Sequence, residues 1–533
     1  MKTSTACCLT VLVYAVALAI LGSVFLHRFG FPLDDSWIHQ SVARNLAQSG
    51  TLGYLPNQRS SGSTSLLWTL LLSQNYEWLP HVSPVLFTVA FNSLCVIATG
   101  LILLLMGLRD GLDPKLALLV AVAPAVDGNY LWLAFIGMEH LLFITLSVAS
   151  IWLWLSRASP RATVAAGICM GLLCMTRPEG VMLPLLLLTA SLLKAQGRRR
   201  PVAQIVLAGA ICLVLACIPL AVNLYTSQSL LPVTFKGRRW LLSADLPNWF
   251  AVYQRLFEQW ISRPFKVVSW FDGVQMTGLQ RIGMAAVLAT VLIFVALGIG
   301  SLIRERRWLL LSVCTWGVVH ALLYVVILPT AGHGGRYQPF LLLLVLPLFA
   351  LGLARLWSFA VPTTALVAIG AASLSVWNSA LASGIDHINN THGVVSAWLD
   401  KNLPGETIAV FDIGRIGYDR GGHGDPHIVD LGGLTDPSYT QYLYTRQVPR
   451  YLALHHIHYL VLPSNPEGAS SIAASLGLAN NPAVVTHELQ RVCSAAGDWQ
   501  VGYSLTRNAF QCQEVESFEL VERKPKPIAH SKR

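Results

Sequence analysis

Long apolar runs constrain this chain more than any other feature. A helix rising 1.5 Å per residue needs about 20 apolar residues to cross the hydrocarbon of a bilayer. Eleven candidate spans meet or approach that length: Ala6–His27, Val82–Gly107, Lys115–Leu133, Met138–Leu155, Ala162–Thr176, Val181–Lys194, Val202–Leu224, Gly283–Ile303, Trp308–Pro329, Tyr337–Leu356 and Val361–Trp377. The two flanking Arg177-Pro178-Glu179-Gly180 are short enough to form one hairpin with its tip in the membrane interface. Thr64–Leu79 is apolar but short, and it reads as juxtamembrane or re-entrant. Of the 533 residues only 12% are charged and 54% are hydrophobic. A soluble domain carries about 25% charge. The chain is predicted to be a polytopic helical membrane protein.

Its net charge of +10 does not point to nucleic acid, because the basic residues sit in short clusters between spans. Arg109 and Lys115, Arg157 and Arg161, Lys194 to Arg200, Arg304 to Arg307, and Arg355 all fall on one side of an eleven-span topology. The positive-inside bias makes that side cytoplasmic. No small-residue cleavage site follows the first run, so it reads as a retained anchor. Residues 1–378 then form the membrane domain, with outer loops at 28–81 and 225–282. Cys95, Cys169, Cys174, Cys212, Cys217 and Cys314 lie in apolar runs and act as small apolar residues. No metal-ligand spacing of Cys and His is visible.

Residues 379–533 change character. Strand-length runs at Thr407–Phe411, His427–Leu431 and Tyr459–Leu462 alternate with helical stretches such as Val394–Leu403 and Ser470–Leu478. This predicts a small extracytoplasmic α/β domain. A disulfide between Cys493 and Cys512 is expected on that oxidising side. The basic tail Arg523–Arg533 reads as disordered.

The chemistry concentrates just after the first span, at Asp34-Asp35. Ile38, Val42 and Leu46 recur there with helical spacing, and Gly50 ends the run. The spacing predicts an amphipathic helix lying in the membrane interface, with two carboxylates at its N-terminus. One acid can cap that helix while its neighbour acts as a base at the boundary between lipid and water.

The stretch DDSWIHQSVARNL followed by SGSTSLLWTLLL resembles the GT-C glycosyltransferases, polytopic enzymes that use polyprenyl-phosphate-linked sugars. Within them it is similar to the bacterial branch of mycobacterial terminal arabinofuranosyltransferases and protein mannosyltransferase-like enzymes. Gly137-Met138-Glu139, Thr176–Gly180, Leu231–Lys236, Gly335-Arg336-Tyr337, Asp412–Tyr418 and Leu434–Pro437 carry the resemblance along most of the chain. It implies a GT-C-like membrane domain and makes Asp34 the catalytic acid. Asp35 stands where the mannosyltransferase-like relatives carry Glu.

The expected reaction moves a monosaccharide from a polyprenyl-phosphate donor to an envelope glycan, lipid or protein, with Asp34 as general base. Lys236, Arg336 and Arg177 are the expected ligands of the donor phosphate, as cations able to hold growing negative charge. Simpler readings stand beside them: a solvated basic turn for Lys236, a glycine turn for Arg336, and a structural ion pair with Glu179 for Arg177. Glu139, His39, Arg44 and Arg59 are expected on the acceptor side or in support. No metal site is assigned and no cofactor is required, though Asp34, Asp35 and Glu139 are able to converge on a divalent cation. The main rival is a transporter or flippase of envelope lipids or glycans. Such proteins place ionisable residues deep in their spans, whereas here the spans are nearly free of them.

Overall fold

The structure, a computed structural model, describes residues 1–56, 58–156, 158–193, 201–244, 278–327, 332–422, 428–457, 459–463, 476, 497–499, 506–508 and 510–514. The helices in chain order are α1 (Thr3–Gly22), α2 (Asp35–Ser49), α3 (Leu66–Trp78), α4 (Pro84–Arg109), α5 (Pro114–Val122), α6 (Gly128–Trp132), α7 (His140–Ser156), α8 (Pro160–Thr176), α9 (Met182–Leu192) and α10 (Val202–Ser227). Then come α11 (Val233–Ala244), α12 (Gly278–Arg304), α13 (Trp308–Ile327), α14 (Pro339–Leu356), α15 (Ala360–His387), α16 (Val394–Asn402), α17 (Ile413–Gly422), α18 (Thr440–Tyr444) and α19 (Val448–Leu454).

Each expected span is matched by an apolar helix, but not all are of crossing length. Among the described residues seven are long and apolar enough: Thr3–Leu26, Pro84–Arg109, Val202–Ser227, Ala286–Arg304, Trp308–Ile327, Pro339–Leu356 and Ala360–Asn402. Pro114–Val126, His140–Ser156, Pro160–Thr176 and Pro178–Leu192 are shorter. The expected span Lys115–Leu133 is broken by Asp127. Its carboxylate accepts from the N–H groups of Asn129 (2.9 Å) and Tyr130 (3.3 Å) and starts a new helix, α6.

Large aromatic residues fill the bundle interior, where Trp68, Trp132, Trp154, Trp316 and Trp377 are fully buried. The outward faces are the reverse of a soluble protein's. On α10 the buried residues are Ile205, Ala208 and Cys212, while Val206, Leu213, Val214 and Leu224 are exposed. Only hydrocarbon makes such a surface inexpensive. At the end carrying the basic loops, Asp110 accepts from the N–H groups of Leu309 (3.2 Å) and Leu310 (3.0 Å), which ties the end of α4 to the start of α13.

The C-terminal part carries the expected small sheet. Strands β1 (Ile408–Val410), β2 (Ile428–Asp430) and β3 (Tyr459–Pro463) run parallel in the order β2-β1-β3, pairing Ile408 with both Ile428 and Tyr459. Two further strands, β4 (Gly497–Trp499) and β5 (Thr506–Asn508), form an antiparallel pair, and β6 (Phe510–Glu514) lies antiparallel beside β3. The switch point of this sheet lies at the carboxyl end of β1, which leads through Asp412 into α17. This part is continuous with the bundle: α15 passes through position 378 and joins α16 across the π-helical turn Ile388–Gly393.

One expectation is corrected. Helix α2 does not lay its apolar stripe against lipid. Every residue from Ser36 to Asn45 is buried, because α2 is packed between α3 on one side and α17 on the other. Its apolar stripe (Ile38, Val42) joins a core with Val395, Leu399, Ile408 and Ile416 instead of facing lipid. Cys493, residues 470–475, Leu478, the tail Arg523–Arg533 and residues 245–277 of the second outer loop lie outside the described residues.

Candidate functional site

Successive residues of a helix point about 100° apart. The acidic pair at the start of α2 is therefore split between two surroundings. Asp34 faces the C-terminal part. Its Oδ2 accepts from the Gly414 N–H (2.7 Å) and its Oδ1 from the Arg415 N–H (2.8 Å), and Nδ1 of His392 lies 2.9 Å from Oδ1. Asp34 thus makes no capping bond to its own helix but fills the positive N-terminus of α17, where a carboxylate suits the unpaired N–H groups. Position 414 has to be glycine, since a Cβ there would collide with the Asp34 backbone carbonyl.

Asp35 faces the bundle. Its Oδ2 accepts from Nη2 of both Arg336 and Arg238, the latter at 3.0 Å. Burial pushes the Asp35 carboxyl up, but the two guanidiniums outweigh it and hold the acid well below the usual carboxylate range. Arg336 arrives at the end of Gly332-His333-Gly334-Gly335. All three glycines have φ near +65° (66°, 64° and 66°), a region that costs other residues dearly. The Tyr337 ring is the common wall of a cationic cluster, with the guanidinium carbons of Arg336, Arg238 and Arg177 at 5.2, 5.5 and 5.7 Å from its centroid. The Nε–H groups of Arg238 and Arg336 are buried with no partner among the described residues.

Arg177 is spent internally. Nε donates to Glu179 (2.5 Å), Nη1 to Glu139 (2.6 Å), and Nη2 to the Tyr324 hydroxyl, with His140 Nε2 3.2 Å from Nη1. This is the structural ion pair weighed in the sequence, enlarged by a second acid. Glu139 is fully buried. It is turned toward α2 by Gly137, whose φ is +72° and whose missing Cβ leaves room for Phe31 and Ser36. His39 lies beside it, with Nε2 3.6 Å from Glu139 and Nδ1 3.2 Å from the Ser63 hydroxyl. Burial holds the His39 imidazole below its ordinary pKa, against the pull of Glu139 and Asp35.

The other expected residues sit apart. Lys236 is exposed on α11, and its carbonyl accepts from the Tyr444 hydroxyl at 2.9 Å. Two residues along a helix means about 200°, so Arg238 turns inward where Lys236 turns out. Arg44 donates to the Tyr418 carbonyl (2.8 Å) and covers the Tyr418 ring at 4.4 Å, clamping α2 to α17. Arg59 is exposed over Tyr225 at 4.9 Å. Asp34, Asp35 and Glu139 each face a different set of donors. Among the described residues no group of three His, Cys, Asp or Glu is arranged to hold a metal.

A cavity of about 250 Å³ opens next to this cluster. Its walls are Leu66, Met175, Pro178, Leu220 and Leu231, with Ser60, Ser61 and Ser63 at one side. Ser63 links it directly to His39.

Asp412, at the end of β1, adds a pH-sensitive element. Burial pushes its carboxyl up from the ordinary 3.8 to about 7, opposed by His392 and reinforced by Asp34, Asp35 and Asp430. A carboxyl that holds its proton more tightly folded than unfolded favours folding while it is protonated. Its contribution is full below about pH 4 and is lost as pH rises through about 7. Thermal unfolding in detergent should therefore show Asp412→Asn less sensitive than wild type across that window. Equal slopes would contradict the assignment.

Comparison with known proteins follows the same lines. Residues 384–516 match a family model described as a domain of unknown function, DUF8728. No curated protein matches. Among solved structures the chain is similar to ArnT from Cupriavidus metallidurans bound to undecaprenyl phosphate, with a TM-score of 0.52 and 14% identity, over 94% of this chain and 97% of that one. The apo state of the same protein gives a TM-score of 0.51 and 13% identity over the same shares. The chain has an ArnT-like fold. At such identity the likeness is one of architecture, and that fold leaves each side chain to be argued from its own geometry.

Within that fold, the sequence reading missed His140, Tyr324 and His392 and preferred Lys236 to Arg238. A helical reading of Val233–Ala244 would have separated the last two, since Thr234 and Arg238 share one face at a spacing of four residues. The other three carry no local signal, because their partners are distant in the chain.

Proposed function

We propose that this protein is a membrane glycosyltransferase that moves a monosaccharide from a polyprenyl-phosphate donor to an envelope acceptor on the outer side of the membrane. The observation that carries this reading is the pair Arg336 and Arg238, converging on one carboxylate oxygen with buried N–H groups to spare. Two guanidiniums aimed at one anion form a phosphate site held by a substitute. Asp35 keeps them in place when the donor is absent. The adjoining apolar cavity suits the first isoprene units. The undecaprenyl phosphate bound by ArnT supports a lipid of this class.

In the proposed displacement, the acceptor hydroxyl oxygen bonds to the anomeric carbon of the sugar as the bond from that carbon to phosphate breaks. The hydroxyl proton passes to Asp34. The electron pair of the breaking bond leaves with polyprenyl phosphate, whose growing charge Arg336 and Arg238 offset. Each carboxylate oxygen has two lone-pair sites, so Asp34 retains capacity for the proton while Gly414, Arg415 and His392 hold it in place. No metal or redox cofactor enters this scheme. The positive-inside bias of the basic loops supports an outer-facing site.

The test is a transfer assay with purified protein in lipid nanodiscs and a panel of undecaprenyl-phosphate sugars. Transfer or hydrolysis of at least one donor is expected, and none across the panel would reject the reading. Binding of undecaprenyl phosphate itself should distinguish the two cations. Arg238→Gln is expected to weaken it at least tenfold, while Lys236→Ala stays within about twofold, as for an exposed charge. The reverse ranking would restore Lys236 as the phosphate ligand.

A further inference from the structure

A second cleft lies against the other face of α2. Its volume is about 570 Å³, and its walls include Phe29, Trp37, Asn389, Val394, Arg415 and Tyr418. It sits on the seam between the start of the bundle and the C-terminal helices α16 and α17. Two wall residues connect it directly to the acidic pair. Trp37 lies one helical turn after Asp34, and Arg415 is the residue whose backbone N–H holds Asp34 Oδ1.

The chemistry of this cleft differs from that of the apolar cavity near Arg177. Arg415 places its guanidinium 4.4 Å over the Trp37 ring and gives Nε to Asp419 (2.7 Å), so its charge is already compensated. The rings of Trp37 and Tyr418 meet at 4.8 Å. The Trp37 indole N–H is buried with no partner among the described residues. Asn389 gives its amide N–H to the Phe29 carbonyl (3.0 Å) at the cleft's edge. Aromatic surface, an amide and a guanidinium without net charge to offer together recognise an uncharged polyol. Such a ligand lays C–H faces on rings and gives its hydroxyls to planar donors and acceptors. An acyl chain would need a deeper apolar slot, and an anionic headgroup would need an uncompensated cation.

We infer that this cleft binds the acceptor, and that the acceptor is a neutral glycan whose terminal sugar lies between Arg415 and Tyr418 with a hydroxyl toward Asp34. This rests on the transfer reaction proposed above and narrows its acceptor from glycan, lipid or protein to glycan. It also assigns the two faces of α2: donor phosphate on the Asp35 side, acceptor hydroxyl on the Asp34 side.

The cleft can be filled without touching either acid. Val394 is 50% exposed and Ala397 is also exposed on the same helix, so Val394→Trp and Ala397→Trp add bulk at the rim without disturbing a core. Val367→Trp, at a 64% exposed position of α15 away from the cleft, serves as the control. Binding is read by saturation-transfer NMR on the full chain in nanodiscs, with neutral pentose and hexose oligosaccharides of about three to six units as probes. A short peptide and a phospholipid-linked glycan are run beside them.

Wild type and Val367→Trp should bind at least one oligosaccharide, and both cleft variants should weaken it tenfold or more. Undecaprenyl phosphate affinity should be unchanged in all of them. In turnover, the acceptor KM should rise while kcat and donor KM hold. No oligosaccharide binding in wild type, or undiminished binding in both cleft variants, overturns the inference. Binding of the peptide alone, or of the lipid-linked probe with its free glycan inert, overturns the ligand class. Oligosaccharide binding blocked by the cleft variants in a protein with neither donor binding nor turnover would keep the glycan cleft and reject the transfer reaction.

Discussion

Asp34→Asn is expected to lower sugar transfer by about 10²–10⁴-fold, the usual loss when a general base is removed, while undecaprenyl phosphate still binds. The donor phosphate is assigned to Arg336 and Arg238, which contact Asp35 and not Asp34. A stability cost accompanies the change. An Asn side chain offers one acceptor oxygen where the carboxylate serves two N–H groups, at Gly414 and Arg415. One N–H of α17 then meets an NH₂ group, a loss of about 1–3 kcal/mol. Rate, donor affinity and thermal unfolding measured on Asp34→Asn and Asp35→Asn separate these effects. Near-normal transfer by Asp34→Asn together with lost transfer by Asp35→Asn would make Asp35 the base. Near-normal transfer by both would leave Asp34 as the anchor of α17 and the acidic pair without a catalytic part.

Arg177→Met is expected to have the largest effect on folding. It removes the partner of Glu139, which has no exposed surface, and of Glu179, whose side chain is only 16% exposed. Breaking a buried pair by removing one member costs about 3–5 kcal/mol, against a total stability of about 5–15 kcal/mol. Yield and melting temperature in detergent should fall sharply. Arg177→Lys should recover only part of the loss, because one ammonium cannot reproduce a fork that reaches Glu139, Glu179 and Tyr324 at once. The triple variant Arg177→Met with Glu139→Gln and Glu179→Gln should regain stability, since no buried charge is left unpaired. Unchanged stability in Arg177→Met with lost donor binding would instead make Arg177 a phosphate ligand.

The sequence by itself determined that this is a polytopic helical membrane protein, because a chain crossing hydrocarbon as helices needs long apolar runs and the length of such a run is a local property. It also located the strands of the C-terminal part, through short runs such as Ile408–Val410 and Tyr459–Leu462, and it drew attention to Asp34-Asp35 and to Arg336 after its glycines. Tertiary structure decided which acid does what. Asp34 and Asp35 are neighbours in the chain, yet the helix turns one toward Gly414, 380 residues away, and the other toward Arg336, 301 residues away. Likewise only packing shows that Arg177 meets Tyr324, 147 residues on, and that Arg238 faces inward while Lys236 faces out. Helix α2 was misjudged for the same reason. An apolar stripe states that a face is buried, but not whether lipid or another part of the chain covers it, and here the covering surface is α17.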